Sequence, residues 1–234
     1  MLRARRTVKL YSDQNLTGPC LLCGDWGGGL CGLCRGCSLD LPAIVAACVR
    51  CGIPLSRAGL VCAECLRRPP AFSRCFAPFH YQAPISTRIR SLKFAGDLPA
   101  AGELAAWMWM LRPGGAMPEA LLPVPLHWRR LVKRGFNQSL ELARHLGALA
   151  AVPVVSDACV RIAHTAAQSG LDARHRRRNV RGAFRARLGE GLRHVAIVDD
   201  VLTTGSTAGE LARVLRRQGV QDVEVWAVAR ATLP

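Results

Sequence analysis

The chain has 234 residues, half of them hydrophobic, with a formal charge of +16 and an isoelectric point near 10.4. No apolar run reaches the ~18 residues of a membrane-spanning helix, and Met1–Leu10 is basic without the apolar core of an export signal. The composition supports a proper core, and the length fits one large domain or two unequal ones, with the cytoplasm as the expected compartment.

Ten of the eleven cysteines precede residue 76, and a reducing compartment favours metal ligation over disulfides. They form CxxC pairs at Cys20/Cys23, Cys31/Cys34, Cys48/Cys51 and Cys62/Cys65, with Cys34/Cys37 overlapping the second. A CxxC turn aims two thiolates at one tetrahedral ion, so two pairs complete a closed structural Zn2+ site. Chain order predicts Cys20, Cys23, Cys31 and Cys34 for one ion, and Cys48, Cys51, Cys62 and Cys65 for another. Cys37 can replace Cys34 or stay free. Interleaved pairing, one occupied site and an iron–sulfur cluster are alternatives that the same ligands allow. Residues 1–70 carry nine basic and four acidic side chains, a formal +5. Two four-thiolate zinc sites, each contributing −2, leave about +1. The remaining 23 basic and 12 acidic residues give +11, so the positive excess belongs to the second part of the chain.

Arg67-Arg-Pro-Pro70 marks a boundary, giving a cysteine module over 1–70 and a second domain over 71–234. Along the latter, Phe76–Tyr81 reads as a short strand ended by Pro84, and Ala100–Leu111 as a helix. Trp107 and Trp109 in that helix are read as packing groups. Leu121–Leu126 is a strand interrupted by Pro123 and Pro125, which suggests a special loop at its end. Ser139–Leu149 reads as a helix, and Val152–Arg161, Val195–Asp199 and Asp222–Ala229 as strands. Strands alternating with helices indicate an α/β fold with a mainly parallel sheet flanked by helices. Arg174–Arg187 holds seven arginines and no acid, either a solvated basic loop or a counter-charge for a phosphate-bearing ligand.

The most informative segment is Val195-Ala-Ile-Val-Asp199-Asp200-Val-Leu-Thr203-Thr204-Gly205-Ser206-Thr207. An unbroken apolar run suits a strand buried on both faces, and ligands bind beyond the carboxyl ends of such strands. Two carboxylates emerge there, followed by a hydroxyl-rich turn and the N-terminus of a helix, where backbone N–H groups favour an anion. Acids for sugar hydroxyls ahead of a phosphate cradle describe a sugar-phosphate site. An ordinary strand–turn–helix with an N-cap cluster is the plainer alternative.

This segment resembles the 5-phosphoribosyl diphosphate (PRPP) motif of type I phosphoribosyltransferases. The resemblance implies that Asp199 and Asp200 hold the ribose, Asp200 nearer the reaction centre, and that Thr203, Thr204, Gly205, Ser206 and Thr207 grip the 5′-phosphate. Over nearly its full length the chain resembles the ComF family, a double zinc ribbon followed by a phosphoribosyltransferase-like domain. The matching motifs are Leu92-Lys93-Phe94, Leu122–Leu126, Lys133–Gln138, Gln168 with Asn179, and the Asp199 segment. By that likeness Arg134 and Asn137 lie near PRPP, although both could instead cap the helix starting near Ser139. Gln168 and Asn179 fall in a lid or on the acceptor side.

The functions implied are a Mg2+-dependent phosphoribosyltransferase of unidentified acceptor, or a non-catalytic PRPP- or nucleic-acid-binding protein. The latter follows from the family's association with DNA uptake and competence, with single-stranded DNA as the partner. A third reading has the ribbons recruiting a protein partner. The histidines, His127, His164 and His175 included, lie in no arrangement with a nucleophile.

Overall fold

The computed structural model describes residues 18–26, 29–163, 180–189 and 191–232. Its core is a sheet centred on β6 (His194–Leu202) and β7 (Asp222–Arg230). Val195, Ile197, Val223, Val225 and Ala227 join one buried cluster, while Ala196, Val198, Trp226 and Val228 join another. Strand residues alternate between faces, so a sheet covered on both sides needs apolar residues at every position. That is why both segments read as continuous apolar runs.

The strand order is β1-β7-β6-β3, with β2 also pairing to β7, and every pairing in this sheet is parallel. The strand expected over Phe76–Tyr81 is two short ones, β1 (Arg74–Phe76) and β2 (Phe79–His80), broken at Ala77-Pro78. Along β2 the segment 42–44 runs as a cover, with Ala43 bridging Phe79 and the His80 N–H donating to Pro42 O at 2.8 Å. β3 (Ala120–Pro123) is wholly buried. Its proline is tolerated because the Val124 N–H faces β6, donating to Val198 O at 2.9 Å. By strand alternation the Pro123 nitrogen points to the other side, where no ladder bond is lost.

The strand expected over Val152–Arg161 is not continuous. Leu121 bridges Val154, and the chain then turns before β4 (Cys159–Arg161) pairs antiparallel with β5 (Phe184–Ala186) in a separate ladder. Pro153 within the run limits its pairing to this single bridge.

Helices cover both faces. α4 (Pro99–Met110) and α6 (Gln138–Ala150) lie over Ala196 and Val198, and α7 (Ser206–Arg217) with the β4–β5 hairpin lies over Val195 and Ile197. Trp107 is fully buried and Trp109 packs at a tilt against Trp226 with centroids 6.4 Å apart, so both are packing groups. α6 approaches segment 152–154 so closely that a Cβ built on Gly147 would stand 2.8 Å from both Val152 O and Val154 Cγ2. Alanine for glycine within a helix ordinarily stabilises by about 0.5–1 kcal/mol. At Gly147 the overlap reverses the sign, and Gly147→Ala is expected to destabilise by about 1–2 kcal/mol in denaturant unfolding.

The cysteine segments are two copies of one ribbon, 28 positions apart. Paired hydrogen bonds recur in both, as in Gly24 N–Cys20 O and Gly52 N–Cys48 O, each 2.9 Å, or Leu21 N–Gly32 O at 2.9 Å and Val49 N–Leu60 O at 3.1 Å. The bridge Pro19–Trp26 likewise answers Ala47–Pro54. Short helices, α1 (Arg35–Leu39) and α2 (Ala63–Arg67), follow the corresponding cysteines. The first ribbon shares the domain's core: Leu33 and Leu41 belong to the same buried cluster as Trp107 and Phe79.

Candidate functional site

The thiols converge in two quartets whose sulfurs lie within 4.8 Å of one another, Cys20/Cys23/Cys34/Cys37 and Cys48/Cys51/Cys62/Cys65. The second is as expected; the first is a correction, because Cys37 stands in the place assigned to Cys31. Cys31 holds φ 59°, turns its thiol towards Ala106 O at 3.9 Å, and accepts the Trp107 indole N–H at its carbonyl at 3.2 Å. The equivalent position of the other ribbon is Gly59, also left-handed with φ 76°. Cys31 therefore occupies a turn position, and its side chain leaves the cluster. The signal was legible: Cys20, Cys23, Cys34 and Cys37 plus 28 give Cys48, Cys51, Cys62 and Cys65.

The geometry fits a tetrahedral thiophilic ion such as Zn2+. A Zn–S distance of about 2.3 Å implies S···S edges of about 3.8 Å, and Cys23–Cys34 and Cys51–Cys62 are 3.8 and 3.7 Å apart. Backbone N–H groups of Cys34 and Cys62 donate to the sulfurs of Cys20 and Cys48, both at 3.3 Å. Burial pushes the Cys20 thiol up, but the N–H donors of Cys23, Cys34 and Leu22 outweigh it and hold the group near about 6. The same opposition of burial and N–H donors lowers Cys48 to about 7. Such thiols ionise readily for a metal.

At the other end of the sheet, β6 outruns β3 by several residues, so Asp199 and Asp200 lie past the last β3 pairing, Pro123 with Val198. Asp199 Oδ1 accepts from Ser139 Oγ at 3.1 Å and from the Asp200 N–H at 2.9 Å. Burial drives its carboxyl up to about 6, against the opposing pull of Lys93, Ser139 and Arg161. Asp200, 3% exposed, accepts the Val201 N–H at 2.8 Å through Oδ1 and forms an ion pair with Lys93 through Oδ2. Lys93 comes from a π-helical turn, Ser91–Ala95, after α3 (Ile85–Arg90). Burial lowers its ammonium to about 8, opposed by Asp199 and reinforced by Arg134. Between about pH 6 and 8 the pocket therefore holds an ionised Asp199 beside a charged Lys93. Lys93→Met removes the cation that favours ionised Asp199, so the Asp199 midpoint should move above 6, read by carboxyl-carbon NMR titration. An unmoved midpoint would break the electrostatic link.

The five residues Thr203–Thr207 are half-buried at the start of α7. Gly205 takes φ 71°, the left-handed turn that brings the chain from strand into helix. Thr204 Oγ1 bonds Ser206 Oγ at 2.7 Å and accepts the Ser206 N–H at 3.3 Å. The turn is fastened from below by Arg230 at the end of β7, whose Nη1 donates to Leu202 O at 3.0 Å, to Ala231 O at 2.6 Å and to Thr203 O. Its Nε donates to Cys51 O at 3.0 Å. One buried guanidinium thus joins the turn to a ligand residue of the second quartet.

Asn137 and Arg134, both expected near PRPP, have partners within the protein. Asn137 is the N-cap of α6: its Oδ1 accepts the Ser139 N–H at 3.1 Å and its Nδ2 donates to Val124 O at 3.0 Å. Its polar atoms thus serve the loop and the helix, the capping role that was the alternative to a place near PRPP. Arg134 ends α5 (Trp128–Arg134), donates to Gln138 Oε1 at 2.5 Å, and lies close enough to Lys93 to influence it. His127 caps α5, accepting the Arg129 N–H at 3.3 Å. Gln168, Asn179, His164 and His175 lie outside the described residues. Lys93, Ser139, Arg161 and Arg230 were not singled out as site residues, because contacts between distant segments leave no local spacing to read.

Among the described residues, no helix is long and apolar enough to cross a membrane. Family models give no match to the chain. Individual relatives do. DNA utilization protein YhgH of Escherichia coli O157:H7 is 37% identical over 225 residues, covering 91% of this chain and 97% of the relative. Competence protein F of Haemophilus influenzae is 34% identical over 209 residues, 86% and 91% of the two chains. DNA utilization protein YhgH of Salmonella typhimurium is 37% identical over 205 residues, 85% and 90%. Fold and cysteine geometry define a double-ribbon α/β protein with a mainly parallel sheet. Similarity across nearly the whole length places it further: the chain belongs to the ComF family.

Proposed function

We propose that this protein binds PRPP at the end of β6 and is a phosphoribosyltransferase-type member of a DNA-utilization or competence system. The observation that carries the reading is the pair of carboxylates, half-buried Asp199 and buried Asp200, directly ahead of the Thr203–Thr207 turn. An acid whose desolvation holds it near pKa 6 weakens a fold, and groups perturbed in this way cluster at functional sites. Asp199 and Asp200 accept the ribose hydroxyls. The turn and the first N–H groups of α7 receive the 5′-phosphate. Lys93, Arg134 and Arg161 supply positive charge where the diphosphate departs, and Mg2+ would enter with the diphosphate oxygens. Transfer from C1′ then needs orientation and neutralisation of the leaving group rather than a protein nucleophile. Thr203, Thr204, Gly205, Ser206 and Thr207 bind, while Asn137 shapes the loop.

The test is calorimetric titration of PRPP into zinc-loaded protein with and without Mg2+, where one ligand per chain is expected. No heat at millimolar PRPP overturns the reading. Release of pyrophosphate across a panel of nucleobases and amines then separates a transferase from a binding protein. A second reading, nucleic-acid handling in the cytoplasm, is favoured by the +11 charge of residues 71–234 and by the names of the relatives. Single-stranded DNA bound through arginines should dissociate steeply with salt, whereas PRPP should depend on Mg2+.

A further inference from the structure

Resting on the nucleic-acid reading above, we propose that the outer face of α5, together with Phe94, is a stacking platform for single-stranded DNA. None of the seven residues of α5 is buried. Arg130 and Arg134, four apart, share one side of the helix and are half-buried. The remaining surface is exposed: Trp128 by 62%, Val132 by 76% and Leu131 by 43%, with Arg129 and Lys133 between them. An amphipathic helix normally hides its apolar residues against its own domain. Here they face water.

The chemistry of the face selects the occupant. The Arg129 guanidinium lies 5.4 Å from the Trp128 ring centre, and Arg134 lies 5.7 Å from that of Phe94, which is 77% exposed. One ring on the helix and one beside it each carry a guanidinium within 6 Å, Arg129 on Trp128 and Arg134 on Phe94. No acidic residue occurs between Glu119 and Glu141, so this segment carries its cations without an acid of its own. Flat apolar faces joined by regularly spaced phosphates match both features, and single-stranded DNA offers them. In a duplex the base faces are stacked away, leaving the rings unused. A purely apolar protein surface would have to desolvate several cations within seven residues.

The test is fluorescence anisotropy of a labelled 15-nucleotide oligo-dT with the zinc-loaded full chain across a salt series. Trp128→Ala and Phe94→Ala are each expected to weaken binding about 5- to 100-fold, the range of one base–ring stack. Trp128→Phe should retain most of the affinity. Arg129→Gln with Lys133→Gln should lower the slope of log affinity against log salt by about 1.4, two phosphate contacts on a single strand. Zinc content and thermal midpoint identify variants that remain folded, and these are surface positions. Wild-type protein that binds oligo-dT no better than duplex, or ring variants that bind oligo-dT as wild type does, overturn the proposal. Wild type that fails to bind DNA even at low salt refutes the nucleic-acid reading itself. A dimer in sedimentation that Trp128→Ala abolishes assigns the face to a second copy and overturns it equally.

Discussion

Asp199→Asn is expected to make the protein more stable and less able to bind PRPP. The two effects have one cause. Burial raises the Asp199 carboxyl from 3.8 to about 6, so the native state disfavours its ionised form. The folded protein therefore holds this proton more tightly than the unfolded chain, and the stability conflict grows as pH rises from about 4 to 6. Above pH 6 it is complete, worth up to roughly 3 kcal/mol. Asparagine keeps an oxygen for the Ser139 hydroxyl and the Asp200 N–H while removing the charge. Some of the gain is lost because Lys93 loses a favourable neighbour, so a thermal midpoint higher by a few degrees at pH 7.5 is expected.

Binding moves the other way. A carboxylate hydrogen-bonded to ribose is worth about 1.5–3 kcal/mol, so Asp199→Asn should weaken PRPP binding by roughly 10- to 100-fold. Adding Asp200→Asn should take it below calorimetric detection. Lys93 then loses its ion-pair partner but, already lowered to about 8, can release its proton instead of remaining a buried charge. The double variant should therefore still fold. A purely structural Asp199 would lose stability on substitution, and a folded double variant with wild-type PRPP affinity would remove the site.

Zinc removal has the second large effect. Apparent binding energies for structural zinc, about 10–16 kcal/mol per site in small peptides, match or exceed the stability of a typical domain. Elemental analysis should find two zinc ions per chain, and chelation should lower the thermal midpoint sharply. The ribbons should also differ in what they disturb. Cys62→Ser acts on the quartet that holds Cys51, whose carbonyl receives Arg230, so hydrogen exchange should quicken at 202–205. Cys23→Ser acts on the ribbon whose Cys31 carbonyl receives Trp107, so exchange should quicken in α4 instead. Uniform exchange in both variants, or no bound zinc in freshly purified protein, would contradict this arrangement.

Much of this was readable in advance because it is local. The β6 run, the acids, the glycine turn and α7 form one continuous segment, and alternation with burial on both faces leaves a plain trace in composition. CxxC spacing is equally local, since each knuckle closes within four residues. Two overlapping pairs, Cys31/Cys34 and Cys34/Cys37, satisfy that rule alike. The offset of 28 positions between the ribbons separates them, and the left-handed turn at Cys31 carries its side chain out of the quartet.

Where two segments meet, the sequence had no say. Asn137 fits a ligand contact or a cap on spacing alone, and the folded chain shows the capping bond together with a contact to Val124 that no spacing announces. Lys93 stands more than a hundred positions from Asp200, and Arg230 far from Cys51. Residue type and period specify which strands and turns form and what chemistry they carry. Which charges face one another is set by packing, because a buried carboxylate takes whatever cation the neighbouring element delivers. The sequence alone thus determined the ribbons, the parallel sheet and the acidic turn. Only the tertiary structure decided the counter-ion of Asp200 and the guanidinium that ties the hydroxyl turn to the second ribbon.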